Sequence, residues 1–87
     1  MTVVRLPSPL YAYTNGKAEV MAAGETLTEI LVDLDRRFPG LRFRVVDEQD
    51  RIRPTILFHL NGRVVRDLGE RVDPKDEVQI VAALSGG

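Results

Sequence analysis

The segment from Thr26 to Gly40 constrains the fold of this chain more than any other. Thr26-Leu27-Thr28-Glu29 has the form of a capping box, with Thr26 as N-cap and Glu29 returning to the N-cap amide. Leu27, Ile30, Leu31, Leu34 and Phe38 then recur at helical spacing and predict one buried stripe. Asp33 and Arg37 make an i,i+4 pair on the opposite face, and Arg36 and Arg37 complement the helix dipole. Pro39-Gly40 stops the helix. This is the clearest helix in the 87 residues. Its stripe must be buried against another layer, and the rest of the chain offers strands.

Thr2 to Leu6 reads as a first strand, stopped by Pro7 and Pro9. Asn15-Gly16 is a turn signal, and Lys17 to Met21 alternates with Ala18 and Val20 on one face, completing a hairpin with a long loop. Leu41 to Pro54 is less regular, with alternating arginine and apolar residues followed by the charged loop Asp47-Glu48-Gln49-Asp50-Arg51. In the strand Ile56 to Leu60, Ile56, Phe58 and Leu60 share one face, Leu57 and His59 the other. Asn61-Gly62 leads by a tight hairpin into Arg63-Val64-Val65. A turn-rich connection packed through Leu68 and a turn at Asp73-Pro74-Lys75-Asp76 precede a last strand, Val78 to Ala82. This order predicts an α+β roll, a mixed sheet of four to five strands on one main helix. The stripe is expected to meet Val4, Val20, Phe58, Leu60 and Ile80, within one domain spanning residues 1–87.

Composition removes several kinds of chemistry. Without cysteine there are no disulfides, thiol nucleophiles or cysteine-held metal centres, and one histidine makes neither a histidine-rich metal site nor a conventional triad. A formal charge of −1 with both signs interspersed gives no electrostatic case for nucleic acid or anionic membrane as the main partner. The first ten residues carry Arg5, Pro7 and Pro9 rather than a signal-peptide apolar core, and no apolar run reaches spanning length. The expectation is a cytoplasmic protein with no membrane, metal or cofactor.

What remains is the end of the sequence. Leu84-Ser85-Gly86-Gly87 follows directly on a strand, so a carboxylate would project from a rigid edge without the bulk of a Cβ. Glycine adopts almost any φ/ψ and lets backbone approach closely, which suits threading into a narrow channel.

The order of elements, the Phe38-Pro39-Gly40 helix stop, the strand–Asn61-Gly62–strand hairpin, Asp76-Glu77-Val78 and terminal Gly86-Gly87 together resemble the MoaD/ThiS family of ubiquitin-like β-grasp sulfur carriers. The resemblance covers essentially the whole chain. The long Leu41–Pro54 segment is more similar to MoaD and its stand-alone relatives than to the shorter ThiS type. The chain departs from the family in having Pro74-Lys75-Asp76-Glu77 where Asp-Gly-Asp-Glu is common, and in lacking a proline just ahead of the tail, residues 84–87.

The resemblance implies a protein substrate, not a catalyst. An E1-like, ATP-dependent adenylating enzyme of the MoeB or ThiF type would convert Gly87 into an acyl-adenylate. A sulfur donor would then yield a thiocarboxylate, with Gly86 as hinge. The acceptor would be a synthase, in the most familiar form a MoaE-like large subunit, with this chain as the molybdopterin synthase small subunit. Sibling forms serve cysteine, methionine or thiamin synthesis. Two further readings stay open: a ubiquitin-like modifier joined to a target lysine, and a non-covalent binding module. With only Lys17 and Lys75, the chain offers few acceptor sites for a modifier joined to itself. A docking surface is expected on the open sheet face at Leu57, His59 and Val81, with Leu84 beyond. Arg42, Arg44, Arg51 and Arg53 read either as a contact for an acidic partner or as a solvated face paired with Asp47, Glu48 and Asp50.

Overall fold

The computed structural model describes residues 1–82. The strands β1 (Thr2–Arg5), β2 (Glu19–Ala22), β3 (Ile56–Leu60), β4 (Arg63–Val65) and β5 (Glu77–Ala82) form one mixed sheet in the order β2-β1-β5-β3-β4. β1 and β5 run parallel at its centre, and the other neighbours are antiparallel. Helix α1 (Leu27–Arg37) packs across one face, and a short helix α2 (Leu41–Val45) extends that layer. The fold is the expected β-grasp roll, with five strands.

The helix forms where its sequence signals place it. Thr26 is the N-cap, and its hydroxyl accepts from Glu29 N at 3.2 Å. The Glu29 carboxylate reaches one residue further back than expected, to Glu25 N at 2.9 Å. The other amides of the first turn go elsewhere: Leu27 N donates to Glu70 O at 3.2 Å and Thr28 N to Leu68 O at 3.0 Å. The connection between β4 and β5 therefore supplies partners to donors that a helix leaves unpaired.

Leu27, Ile30, Leu31 and Leu34 are buried against Val4, Val20, Phe58, Leu60 and Ile80 in one cluster. Phe38 does not join the stripe fully. It is the C-cap, with φ −128° and ψ 77°, so it has left the helical path and is half-buried beneath the Arg37 guanidinium, 5.5 Å from the ring centroid.

The segment expected to be irregular is ordered. Leu41, Val45 and Val46 are fully buried, and Val46 bridges Ile52 around a turn. Asp47 holds that turn, since its Oδ1 accepts from Gln49 N and Arg51 N, each at 2.9 Å. An aspartate turn of this kind gives the backbone local partners and lets a segment with four charged residues close a tight loop. The long first hairpin loop likewise contains a 3₁₀ helix, Ser8–Tyr13, that buries Leu10. β2 starts at Glu19, so Ala18 lies outside it and is exposed, and Val20 and Ala22 carry the inward face instead.

Asp33 and Arg37 pair at 3.0 Å, but on the flank of α1 rather than its solvent face. Asp33 accepts from Ala23 N at 2.9 Å, and Arg37 donates to Met21 O. The alternation set by the Leu6 N to Ala18 O bond turns the backbone groups of Met21 and Ala23 away from β1. The helix thus occupies part of an edge that would otherwise be open to another strand.

Two predictions follow from this packing. Leu31→Ala should cost about 2–5 kcal/mol in urea unfolding, since the site is core. Gly24→Ala should cost about 1–3 kcal/mol, because Gly24 has φ +155° and an added Cβ would lie 2.8 Å from Ile30 N. A loss within the scatter of surface substitutions at either site would contradict this packing.

A third concerns acid. The Ala23 amide foremost, then Arg37 and Arg36, hold the Asp33 carboxyl below its ordinary range. That stabilisation is complete above the ordinary aspartate pKa of about 3.9 and is lost as pH falls through the lower folded value. Asp33→Asn should reduce stability at neutral pH and flatten its decline in acid. An unchanged profile in acid unfolding would dismiss the clamp.

Candidate functional site

The sheet face away from α1 is built by period-two alternation. Val4, Val78, Ile80, Phe58 and Val65 turn inward, which leaves Val3, Arg5, Gln79, Val81, Leu57, His59 and Val64 outward. Register then sets the neighbours. Leu57 stands directly opposite Val81, and His59 lies between Gln79 and Val64. Directly opposed side chains of this kind sit close enough to form one surface. The sequence-predicted trio Leu57, His59 and Val81 is therefore brought together, although all three are half-buried rather than open.

Sequence reasoning missed Val64, which is 44% exposed beside His59. The signal was present: a two-residue Asn61-Gly62 turn with φ +52° and +84° sets the register that places Val64 there. Asn61 also locks the hairpin to the start of β5, donating through Nδ2 to Asp76 Oδ1 and accepting on Oδ1 from Glu77 N, each at 2.9 Å.

The face is electrically divided. Toward β2, Arg5 meets Glu77 at 2.8 Å and Glu19 at 3.5 Å, and Glu77 raises the Arg5 pKa through its hydrogen bond. These are exposed pairs and stabilise the fold little. The apolar part, Leu57 with Val81, lies at the opposite corner, where β5 ends at Ala82 facing Ile56. Leu84, Ser85, Gly86 and Gly87 lie outside the described residues. Among the described residues no group of three His, Cys, Asp or Glu side chains is placed to hold a metal ion, and no helix is long and apolar enough to cross a membrane.

The arginine cluster divides. Arg42 pairs with Asp50, and Arg51 with Asp47 at 3.4 Å, whereas Arg53 Nε donates to Phe43 O at 2.7 Å. Glu48 enters no ion pair among the described residues.

The model of the ThiS family matches residues 4–87. The sulfur carrier protein CysO of Mycobacterium tuberculosis is 28% identical over 89 residues, spanning 97% of this chain and 96% of the relative. The crystal structure of M. tuberculosis CysO superposes with a TM-score of 0.90 at 26% identity, over 97% of this chain and 100% of that one. A chain of the Amycolatopsis orientalis BexX/CysO complex superposes with a TM-score of 0.93 at 31% identity, over the whole of both chains. Small archaeal modifier protein 1 of Methanosarcina acetivorans reaches 0.82 at 24% identity, over 99% of this chain and 95% of that one, a likeness of fold alone.

The geometry predicts that Leu57→Asp and Val81→Asp stay folded, because a charge there can reach water. Phe58→Asp, one residue from Leu57 and 1% exposed, should abolish the native state by burying an unpaired carboxylate. Circular dichroism melts of the three variants decide, and unfolding by Leu57→Asp would remove it from the open face.

Proposed function

Because the chain belongs to the ThiS family, we propose that it is a sulfur carrier whose Gly87 carboxylate is adenylated and then converted to a thiocarboxylate. The observation that carries this reading is a family match running through residue 87, on a chain whose central strand β5 leads directly into that segment.

A carboxylate resists nucleophiles because its charge is shared over two oxygens. Attack of one oxygen on the α-phosphorus of ATP forms a mixed anhydride and releases pyrophosphate. Sulfide from a donor then displaces AMP, leaving a terminal thiocarboxylate. This chain contributes the reacting group and the surface that presents it; the ATP site belongs to an activating enzyme. Five residues follow Ala82, a reach of at most about 17 Å when extended. Ordering them in a channel costs about 1–2 kcal/mol per residue, which contact elsewhere must offset. The corner formed by Leu57, Val81 and His59 is the nearest surface for that contact.

Among the forms of carriage, a stand-alone carrier of the cysteine-synthesis type is favoured over the molybdopterin synthase small subunit, since the curated relatives are CysO proteins. The BexX/CysO complex supports a mode of action in which such a carrier docks on a partner protein.

With the activating enzyme, ATP and a sulfur donor, the intact mass should rise by one oxygen-to-sulfur exchange located at Gly87. Deleting Gly87 or adding an alanine after it should abolish that product with little change in melting temperature, as the described core is built from residues 4–82. Gly86→Val should impair it by restricting the backbone. Leu57→Asp or Val81→Asp should weaken binding to the enzyme. A larger conjugate through a target lysine would instead favour the modifier reading. Full activity of the extended chain, with no trimming, would reject both covalent readings.

A further inference from the structure

Beside the start of β3 and the residues that follow β4 lies a cleft of about 550 Å³, with Arg51, Arg53 and Arg66 around an apolar floor that includes Ile56, Leu57 and Leu68. Two aspartates also line it: Asp50 pairs with Arg42, and Asp67 Oδ1 accepts from Gly69 N at 2.8 Å and keeps its charge. Arg51 is held by Asp47 and by Gln49 Oε1, the latter at 3.1 Å. Among the described residues, no carboxylate forms an ion pair with Arg53 or Arg66. Arg53 still helps hold the Asp47 carboxyl below its ordinary range, so its charge is partly met, but three arginines against two aspartates leave the lining net positive in a chain whose overall charge is −1.

The position of the cleft identifies its occupant. Ile56 and Leu57, which line the cleft, are paired with Ala82 and Val81, so the described end of β5 lies one strand away from it. Any protein that takes residues 83–87 into its own site must lie over this corner. We propose that the cleft receives an acidic segment of the activating enzyme, with an apolar side chain on the floor and carboxylates on Arg53 and Arg66. The inference rests on the sulfur-carrier reading for the identity of that enzyme. The chemistry is that of a carboxylate met by planar, multiply donating guanidinium groups, stronger than a bond between neutral groups. Contact here and at the Leu57–Val81 corner would brace the root of the tail from two sides and set its direction of entry.

The test uses the full chain with the activating enzyme of the same organism. Binding is read by calorimetry and adenylation by ATP–pyrophosphate exchange. Arg53→Glu and Arg66→Glu are compared with Arg36→Glu, a reversal on exposed α1 surface away from the cleft. Each cleft reversal should weaken binding about tenfold or more at low salt and the control should not, with kcat at saturation unchanged. The difference between native and cleft variants should shrink as sodium chloride rises from about 50 to 300 mM. Arg53→Glu also loses the bond to Phe43 O, so Arg66→Glu keeps the experiment decisive if the first variant fails to fold. Native affinity in a folded Arg66→Glu at low salt overturns the proposal. Tighter binding by the cleft variants overturns it too, and points to the chain's own tail as occupant. If the variants lose affinity as described but no thiocarboxylate forms with the native chain, the cleft stands and the carrier reading falls. If thiocarboxylate forms equally fast in all variants below saturation, the reverse holds.

Discussion

The pairing of β5 between β1 and β3 is the constraint on which the rest of the structure depends. It joins the first and last described strands in parallel and fuses the two hairpins, one from each half of the chain, into a single sheet. Val4 and Val78 face each other at this junction and are completely buried. Only when the two halves are joined does a surface exist wide enough to cover the stripe of α1. The sheet and the helix are therefore one cooperative unit, since neither buries its apolar face alone.

The same junction explains how the edges are managed. β4 is three residues long, and backbone groups of β2 and the residue after it are occupied by Arg37 and Asp33. Short or covered edges resist pairing with other chains. Recognition is thereby shifted from the edges to the open face and to the corner where β5 ends. On that face the ionic group of Arg5, Glu19 and Glu77 lies away from the apolar pair Leu57–Val81. In the proposed carrier, a partner docking on the apolar corner would not have to strip water from those charges, which would be costly.

A carrier of this kind needs a rigid body and a short reach. The connection from Leu68 to Val72 contributes to the first requirement, because its carbonyls satisfy the first turn of α1 while Val72 N bonds Glu25 O at 2.9 Å. Asn61 contributes as well, tying the β3–β4 hairpin to Asp76 and Glu77. The Asp76 carboxyl is held below its ordinary range by the Asp73 amide first and by Asn61 second, so the turn that launches β5 is itself stabilised by charge-assisted bonds. The contacts of Asn61 and Asp76 lie at the far end of β5 from the tail. They fix the strand's register while leaving the tail end, on the proposed reading, free for a partner.

Much of this was legible in the chain itself. The capping box, the 3.6-residue stripe and the two-residue Asn61-Gly62 turn are local signals whose physics is complete within a few residues, and α1, β3 and β4 formed where they pointed. The alternation of Ile56 to Leu60 likewise determined which side chains could share the open face. Other features needed the tertiary structure. Leu41, Val45 and Val46 are core because α2 packs against α1 and the 3₁₀ helix, and their short, arginine-interrupted run carries too little periodicity to reveal it. Phe38 is only half-buried because the backbone leaves the helix at that residue. Glu29 reaches Glu25 rather than Thr26, and Asp33 faces β2, because distant segments pack where a lone helix would meet water. The arginine cleft is the clearest case, since Arg53 and Arg66 line one cleft only because the pairing of β3 with β4 brings their segments together. Local signals specify elements because backbone hydrogen bonds and short-range sterics act within a few residues. Which charges are left without partners, and beside what, is decided only when the sheet closes.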